Sequence, residues 1–496
     1  MIALRSRYVL IPLLLSLITF SLLSRRLSWG PLSPPPPPPP EAENKGPVYK
    51  PPKEPPPPPL PEYFPLAASA HSSADIPPVP SFNRPPTTHV PEKTRLYIGF
   101  TRYWPLLQQV VISYIVSGWP PEDIYVVENT GTFDANKRGL LTSQNPFYMN
   151  YTRLTQIFNV NVITMPSLQT FAQLQNFYLS EAIHHNLPYY FWGHMDVMLL
   201  SHEDRVPYKS LYTLAVEKIR ETQEPDYGVD PETKAKKMWA IQFFAYDWLA
   251  MVNAEAFQKV GGWDSMISYY GTDCDMHSRL GMHDMISPIA DGADVWDVSE
   301  SVEDLELLFR RKQKGEGDEE KVDDKAKKGG ASLERASTDG EEKDKRTLDT
   351  QQPPSALRDP RENSTAFGPG LQQPGAGGSL LSSSSSLQHS TPEIQAYLSS
   401  TTEDTLNSPT YTLLKEKFEA MQQAKRDDPF RNSWQLKQRG GEGEPYYVDA
   451  DGWEQALQMT VDNGVRINEE KWGHRGCDIK AAPRGWRDAW RVEHDF

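Results

Sequence analysis

Positive charge is scarce: 51 Lys and Arg stand against 66 Asp and Glu in 496 residues, a formal net charge of −15. A sequence-independent nucleic-acid binder needs clustered Lys and Arg to displace counterions from phosphates. No basic face of that kind is present, so nucleic acid is not an expected partner. Cysteine is nearly absent. The two that occur, Cys274 and Cys477, can form one bridge, or Cys274 can pack as a small hydrophobe, and the sequence leaves both open. His184-His185 and His202-Glu203-Asp204 are rich in ligating side chains, but H-E-x-x-H spacing is missing and a zinc-hydrolase reading has no support. Internal repeats are missing too. Much of the chain also lacks the apolar content to fold: the 45 prolines concentrate before Pro91 and a Ser, Gly and charge-rich tract covers 312–400. The foldable part is roughly two-thirds of the whole.

One long apolar run exists. Residues 8–24, YVLIPLLLSLITFSLLS, carry no charge and lie between Arg5, Arg7 and Arg25, Arg26. That length is the short end of a bilayer span and suits the thinner membranes of the early secretory pathway. The run exits into Arg-Arg and not into a small-residue cleavage pattern, so it reads as a retained signal anchor instead of a cleaved leader. Residues 1–7 are then a cytosolic tail. Residues 25–94, with unbroken proline at 34–40 and 55–59, read as an extended stem in polyproline form. Asn150-Tyr151-Thr152 and Asn363-Ser364-Thr365 are N-glycosylation sequons, which agree with a lumenal location.

Periodicity places a folded domain over 95–300. Strands are predicted at 96–100, 124–127, 158–163 and 189–192, with helices at 105–115 and 168–185 between them. Such alternation builds a mostly parallel sheet with covering helices, an α/β fold. Further on, a helix is predicted at 211–219, strands at 238–244 and 249–253, and helices at 254–260 and 276–282. The last apolar run is 286–298. Residues 301–405 read as a disordered low-complexity insert, and 406–496 as a C-terminal extension with helical periodicity at 411–423 and a Trp, Arg and Gly-rich tail.

Two acidic clusters carry the chemistry. Tyr189-Tyr190-Phe191-Trp192-Gly193 runs into His194-Met195-Asp196. Ligands of open α/β sheets bind at the carboxyl ends of strands, where these two side chains stand. Residues two apart on extended chain project to the same side, so imidazole and carboxylate can converge on one Mn2+ or Mg2+. The second cluster, Tyr270-Gly271-Thr272-Asp273-Cys274-Asp275, opens a helix whose dipole favours ionised carboxylates, as a general base requires. A helix cap and a solvated first-turn acid are the plainer roles for this pair.

Between them lies Asn253-Ala254-Glu255-Ala256-Phe257-Gln258-Lys259-Val260-Gly261-Gly262-Trp263-Asp264. With these three segments, 96–299 resembles the GT-A superfamily of glycosyltransferases. That superfamily carries a D-x-D motif after a strand, an N-x-x-x-F-x-x-x-G-G-F/W-D/N segment, and an acidic turn opening a helix. The resemblance implies a Rossmann-like mixed sheet and transfer of a sugar from a UDP- or GDP-sugar to a glycan or glycoprotein acceptor, with inversion favoured. It also implies a single-pass type II protein of the Golgi or endoplasmic reticulum. Asp196, helped by His194, would hold the cation on the diphosphate; Asp273 would be the base, with Asp275 next in line. Glu128 and Asn129 would lie against the donor, as would Gln175 or Asn176. Trp263 would floor the acceptor site beside Asp264, or else pack in the core. His283 and His474 are candidates for a further metal ligand. Two departures stand out: His194 replaces the first acid of D-x-D, and Thr272 stands where Glu is common. The loss of that acid also admits a GT-A-shaped lumenal scaffold without catalysis.

Overall fold

The computed structural model describes residues 47–51, 57–85, 91–245, 247–312, 392–428, 432–435 and 438–496. The predicted anchor at 8–24 and the sequon at Asn363 lie outside them. Among the described residues no helix is long and apolar enough to cross a membrane. The chain divides into Met1–Lys50, of which 47–50 are exposed and without regular structure, and Pro51–Phe496.

A six-stranded sheet organises this unit, in the order β3-β2-β1-β4-β7-β6. Its strands are β1 (Leu96–Phe100), β2 (Ile124–Glu128), β3 (Asn161–Thr164), β4 (Tyr189–Gly193), β6 (Ile241–Phe243) and β7 (Leu249–Asn253). The first four run parallel, with Leu96 opposite Ile124 and Phe191, and Tyr125 opposite Asn161. β7 is antiparallel to β4, and β6 to β7. Both faces of the central strands are covered, so β1 and β4 are apolar throughout instead of alternating with polar residues. Leu96, Ile98 and Phe100 point into one core with helix α1 (Trp104–Val116), every residue of which is buried. Tyr97, Tyr190 and Trp192 point into the other, with α2 (Phe171–His184), α4 (Ala254–Lys259) and α5 (Thr272–Met282). The fold class is the expected one: mixed α/β with a mostly parallel sheet flanked by helices.

Beyond β4 the chain passes through His194-Met195-Asp196 into β5 (Val197–Leu200). β5 pairs antiparallel with β8 (Asp294–Asp297) in a separate two-stranded ribbon. Val197 lies opposite Asp297, and the Val298 amide donates to the Asp196 carbonyl at 2.9 Å. Asp196 therefore sits at the joint between two sheets. Among the described residues the remaining α-helices, apart from the short Pro65–Ser69, are α3 (Leu211–Gln223), α6 (Pro392–Ser400), α7 (Pro409–Asp427) and α8 (Ala450–Trp472); α7 packs on β8 and α8 on α5.

Several boundaries differ from the sequence expectation. The folded body starts before Arg95: Phe64, within the segment read as stem, is fully buried and stacks on Phe158 at 6.2 Å. At the other end, Leu305–Phe309 form a buried 3-10 turn inside the span read as insert. β3 begins at Asn161 and not at 158, because Arg153–Ile157 close a helical turn first. Helix α5 begins at Thr272, after Gly271 with φ +85°, a backbone angle that glycine adopts without steric cost. Finally, α8 runs for 23 residues where no helix was expected. Its buried residues include Gly464, Asn468 and Lys471, so it carries little apolar periodicity.

Candidate functional site

The carboxyl end of β4 is shaped by Gly193. A Cβ there would collide with the Tyr114 hydroxyl of α1, so glycine lets the strand end lie close against the helix. His194 follows, buried, with its ring stacked on Trp192 at 5.4 Å. Its Nδ1 lies 3.7 Å from Asp196 Oδ1, and its Nε2 has no hydrogen-bond partner among the described residues. The structure thus brings the two predicted ligands together, as residues two apart on extended chain should be.

A third group was not anticipated. Lys425, near the end of α7, reaches into the joint with its side chain 1% exposed. Its ammonium donates to Asp196 Oδ2 at 2.9 Å, to Asp297 Oδ1 at 2.7 Å and to the Val298 carbonyl at 3.0 Å. Three donors meet three acceptors, so the ammonium is saturated. Burial opposes ionisation of Asp196, but the Lys425 charge and the His194 contact outweigh it and hold the carboxyl far below its ordinary range. Burial likewise opposes protonation of Lys425, and the charges of Asp196 and Asp297 reverse that. For His194 burial is again the largest influence and lowers the pKa, yet Asp196 and the neighbouring acids bring it out raised.

The expected Mn2+ or Mg2+ does not fit this arrangement. A dication bound by Asp196 beside the ammonium, about 4 Å away, would meet a repulsion of roughly 8 kcal/mol at an effective dielectric near 20. Asp196 Oδ2 and Asp297 Oδ1 are already committed to Lys425. Elsewhere, ligand atoms of His202, Asp204 and Asp294 lie within 4.8 Å of one another, close enough to hold a metal ion. Lys415 reaches that group as well, 2.8 Å from Asp204 and 3.1 Å from Asp294.

The second acidic cluster is also met by a lysine of the C-terminal extension. Asp273 is half-buried on the first turn of α5. Asp275 is fully buried: its Oδ2 accepts from Arg279 Nε at 2.8 Å, and its Oδ1 from Trp472 Nε1 at 3.0 Å, with Lys471 Nζ at 2.6 Å. Lys471 also lies 2.7 Å from Asp264 Oδ2. Burial raises the Asp264 pKa, but Lys471 wins and lowers it. Cys274 and Cys477 are disulfide-bonded, which settles the pairing left open by the sequence and ties α5 to the tail.

The other predicted contacts divide by environment. Glu128, at the end of β2, is buried with Thr130, Asn136 and Tyr151 donating to its carboxylate. Burial pushes its pKa up to about 7 against the pull of those hydrogen bonds. Asn129 accepts from the Gln169 amide at 2.7 Å and donates to the Gln169 carbonyl at 3.0 Å, fastening a loop. Asn176 grips Trp263 in the same two-ended way, both bonds at 2.8 Å. Gln175 is buried with both amide atoms unpartnered among the described residues. Trp263 packs in the core, 3% exposed, edge-on to Phe171 at 4.9 Å, so its ring presents no open face to a sugar. His283 is exposed at the end of α5, and His474 lies between Asp478 and Asp495 at 2.8 and 2.9 Å.

Lys425, Lys471 and Asp297 were not singled out from sequence. The lysines sit on charge-rich helices where nothing distinguishes them. Asp297 had a signal, since it stands near the end of the last apolar run as Asp196 follows β4. Lys425 also borders a cleft of about 500 Å³ that extends to Tyr103, Trp104, Glu300 and Trp434.

No protein-family model matches the chain, and no curated protein matches it. Among solved structures it is similar to a mannosyltransferase of Pyrobaculum calidifontis in complex with GDP-Man and Mn2+, at 13% identity and a TM-score of 0.26 over 44% of this chain. It is also similar to the catalytic domain of Drosophila beta1,4-galactosyltransferase 7 in complex with xylobiose, at 10% identity and a TM-score of 0.20 over 40% of this chain. The chain spans 57% and 64% of the lengths of these two proteins.

Proposed function

We propose that this chain transfers a sugar from a UDP- or GDP-sugar to a glycan or glycoprotein acceptor, as a type II membrane protein of the Golgi or endoplasmic reticulum. The observation that carries the reading is the placing of His194 and Asp196 at the carboxyl end of a central parallel strand, where open α/β sheets take their ligands. In the proposed reaction the acceptor hydroxyl gives its proton to Asp273 as its oxygen bonds to the anomeric carbon. The bond from that carbon to the nucleoside diphosphate breaks, and the diphosphate leaves with the electron pair. Asp273 suits the base role better than Asp275, whose carboxylate is fully buried and engaged by Arg279, Lys471 and Trp472.

The scaffold reading has one observation in its favour: Lys425 is seated on Asp196. Melting of the full-length chain against UDP, GDP and CMP separates the two. A nucleotide at 100 times its Kd stabilises the native state by about 2.7 kcal/mol. For the enzyme, one nucleotide raises Tm, the matching nucleotide sugar is consumed, and Asp273→Asn stops consumption while keeping the shift. No shift with any nucleotide sinks the transferase reading.

A further inference from the structure

We infer that Lys425 is the resident cation of this site: its tethered ammonium occupies the position at Asp196 where a divalent ion was expected, and the site takes a nucleoside diphosphate without one. Three observations meet here. The ammonium lies 2.9 Å from Asp196 and 2.7 Å from Asp297, carboxylates brought together by the pairing of β5 with β8. Its third donor is held by the Val298 carbonyl at 3.0 Å, so the geometry is fixed by backbone as well as by charge. The same side chain borders the cleft that runs to the loop after β1, between Tyr103 and Trp434, with the ammonium 5.6 Å from the Trp434 ring centre.

Charge bookkeeping explains the choice of one lysine. Two carboxylates with one ammonium leave a single negative charge. A divalent ion added to that set would leave one excess positive charge beside a buried ammonium. The lysine costs nothing to recruit at the moment of binding, because its helix already holds it there. Lys425 is a positioning residue: it joins the Asp196 and Asp297 carboxylates and fixes the local charge that a diphosphate in the cleft meets.

The nucleotide half of this inference rests on the transferase reading; the cation half does not, and the experiment separates them. Mn2+ binding is measured by electron paramagnetic resonance on the full-length chain, Asp196→Asn, Lys425→Met and the double variant. The expected result is equal binding by the parent and Asp196→Asn, any shared binding belonging elsewhere. Lys425→Met should gain one equivalent, and the double variant should lose it. A parent chain that binds one equivalent more than Asp196→Asn overturns the inference, as does a folded Lys425→Met that gains none. Should Lys425→Met fail to fold, the comparison of parent with Asp196→Asn still decides. In parallel, UDP and GDP affinities of the parent are measured in EDTA and in Mn2+. Affinities within twofold of each other support the inference, and a tenfold or greater gain with Mn2+ overturns it. If neither nucleotide binds in either condition, the transferase reading fails while the Mn2+ titrations still judge Lys425.

Discussion

Lys471 performs for Asp264 and Asp275 the service that Lys425 performs for Asp196 and Asp297: one buried ammonium between two carboxylates. Removing a single partner from such a set leaves charge in a low-dielectric interior, at a cost of about 3–5 kcal/mol. Lys471→Met should therefore lower unfolding free energy by about 3 kcal/mol in urea titration, the low end because Asp275 keeps Arg279 and Trp472. Glu128 makes a prediction of opposite electrostatic character. Its pKa rises from the ordinary 4.5 to about 7 on folding, so between those values the native state holds a proton that the unfolded chain has released. Stability from this group is present below pH 4.5 and declines as pH rises towards 7, by about 3 kcal/mol in all. Glu128→Gln should be flatter than the parent over pH 5–7 in melting experiments. A parallel pH dependence in the two proteins would show that Glu128 is already ionised at pH 5.

Among the elements, α5 is the one most dependent on distant chain. Its first turn carries Cys274, bonded to Cys477 across 203 residues of sequence. A crosslink closing a loop of that length stabilises by roughly 5 kcal/mol in the chain-entropy model. Cys477→Ser should thus melt well below the parent, and reductant should lower the parent to the same point. Element by element, legibility followed burial pattern. β1, β2 and β4 were readable because both of their faces are covered and nearly every residue is apolar. α1 announced itself through Pro105 and its helical spacing. β5 was not readable: four apolar residues directly after Asp196 carry no period that separates strand from loop. α8 was invisible because it covers the body with polar contacts. The His194-Asp196 pair followed from a strand ending in ligating side chains, whereas Lys425 lies 229 residues away from the acid it meets and no local pattern links the two.

At the scale of the molecule, the low-complexity tract lies between two segments that are fastened together. Lys312 donates its amide to the Thr401 carbonyl at 3.0 Å, and the Glu403 amide donates to the Arg310 carbonyl at 2.6 Å. Closure of a long loop costs only about 0.6 kcal/mol more for each doubling of its length. Replacing 313–391 with a Gly/Ser linker of about 15 residues should therefore leave Tm within a few degrees of the parent. It should also leave any nucleotide-induced shift unchanged; loss of that shift would assign the tract a part in binding.

The extension also closes over the sheet from outside: Arg102, after β1, is buried against the Trp453 ring at 4.3 Å and pairs with Glu454. All of these partners leave the ribosome after the strands of the sheet. At about 5–20 residues per second, Lys425 emerges roughly 10–45 s after Asp196, and Lys471 and Cys477 later still. During synthesis the sheet can form while its acids face one another uncompensated, so a chain that stops before α7 is not a smaller version of this protein. A stop between β8 and Lys425 would leave Asp196 and Asp297 without the ammonium that joins them, and the length of that wait is written into the order of the sequence.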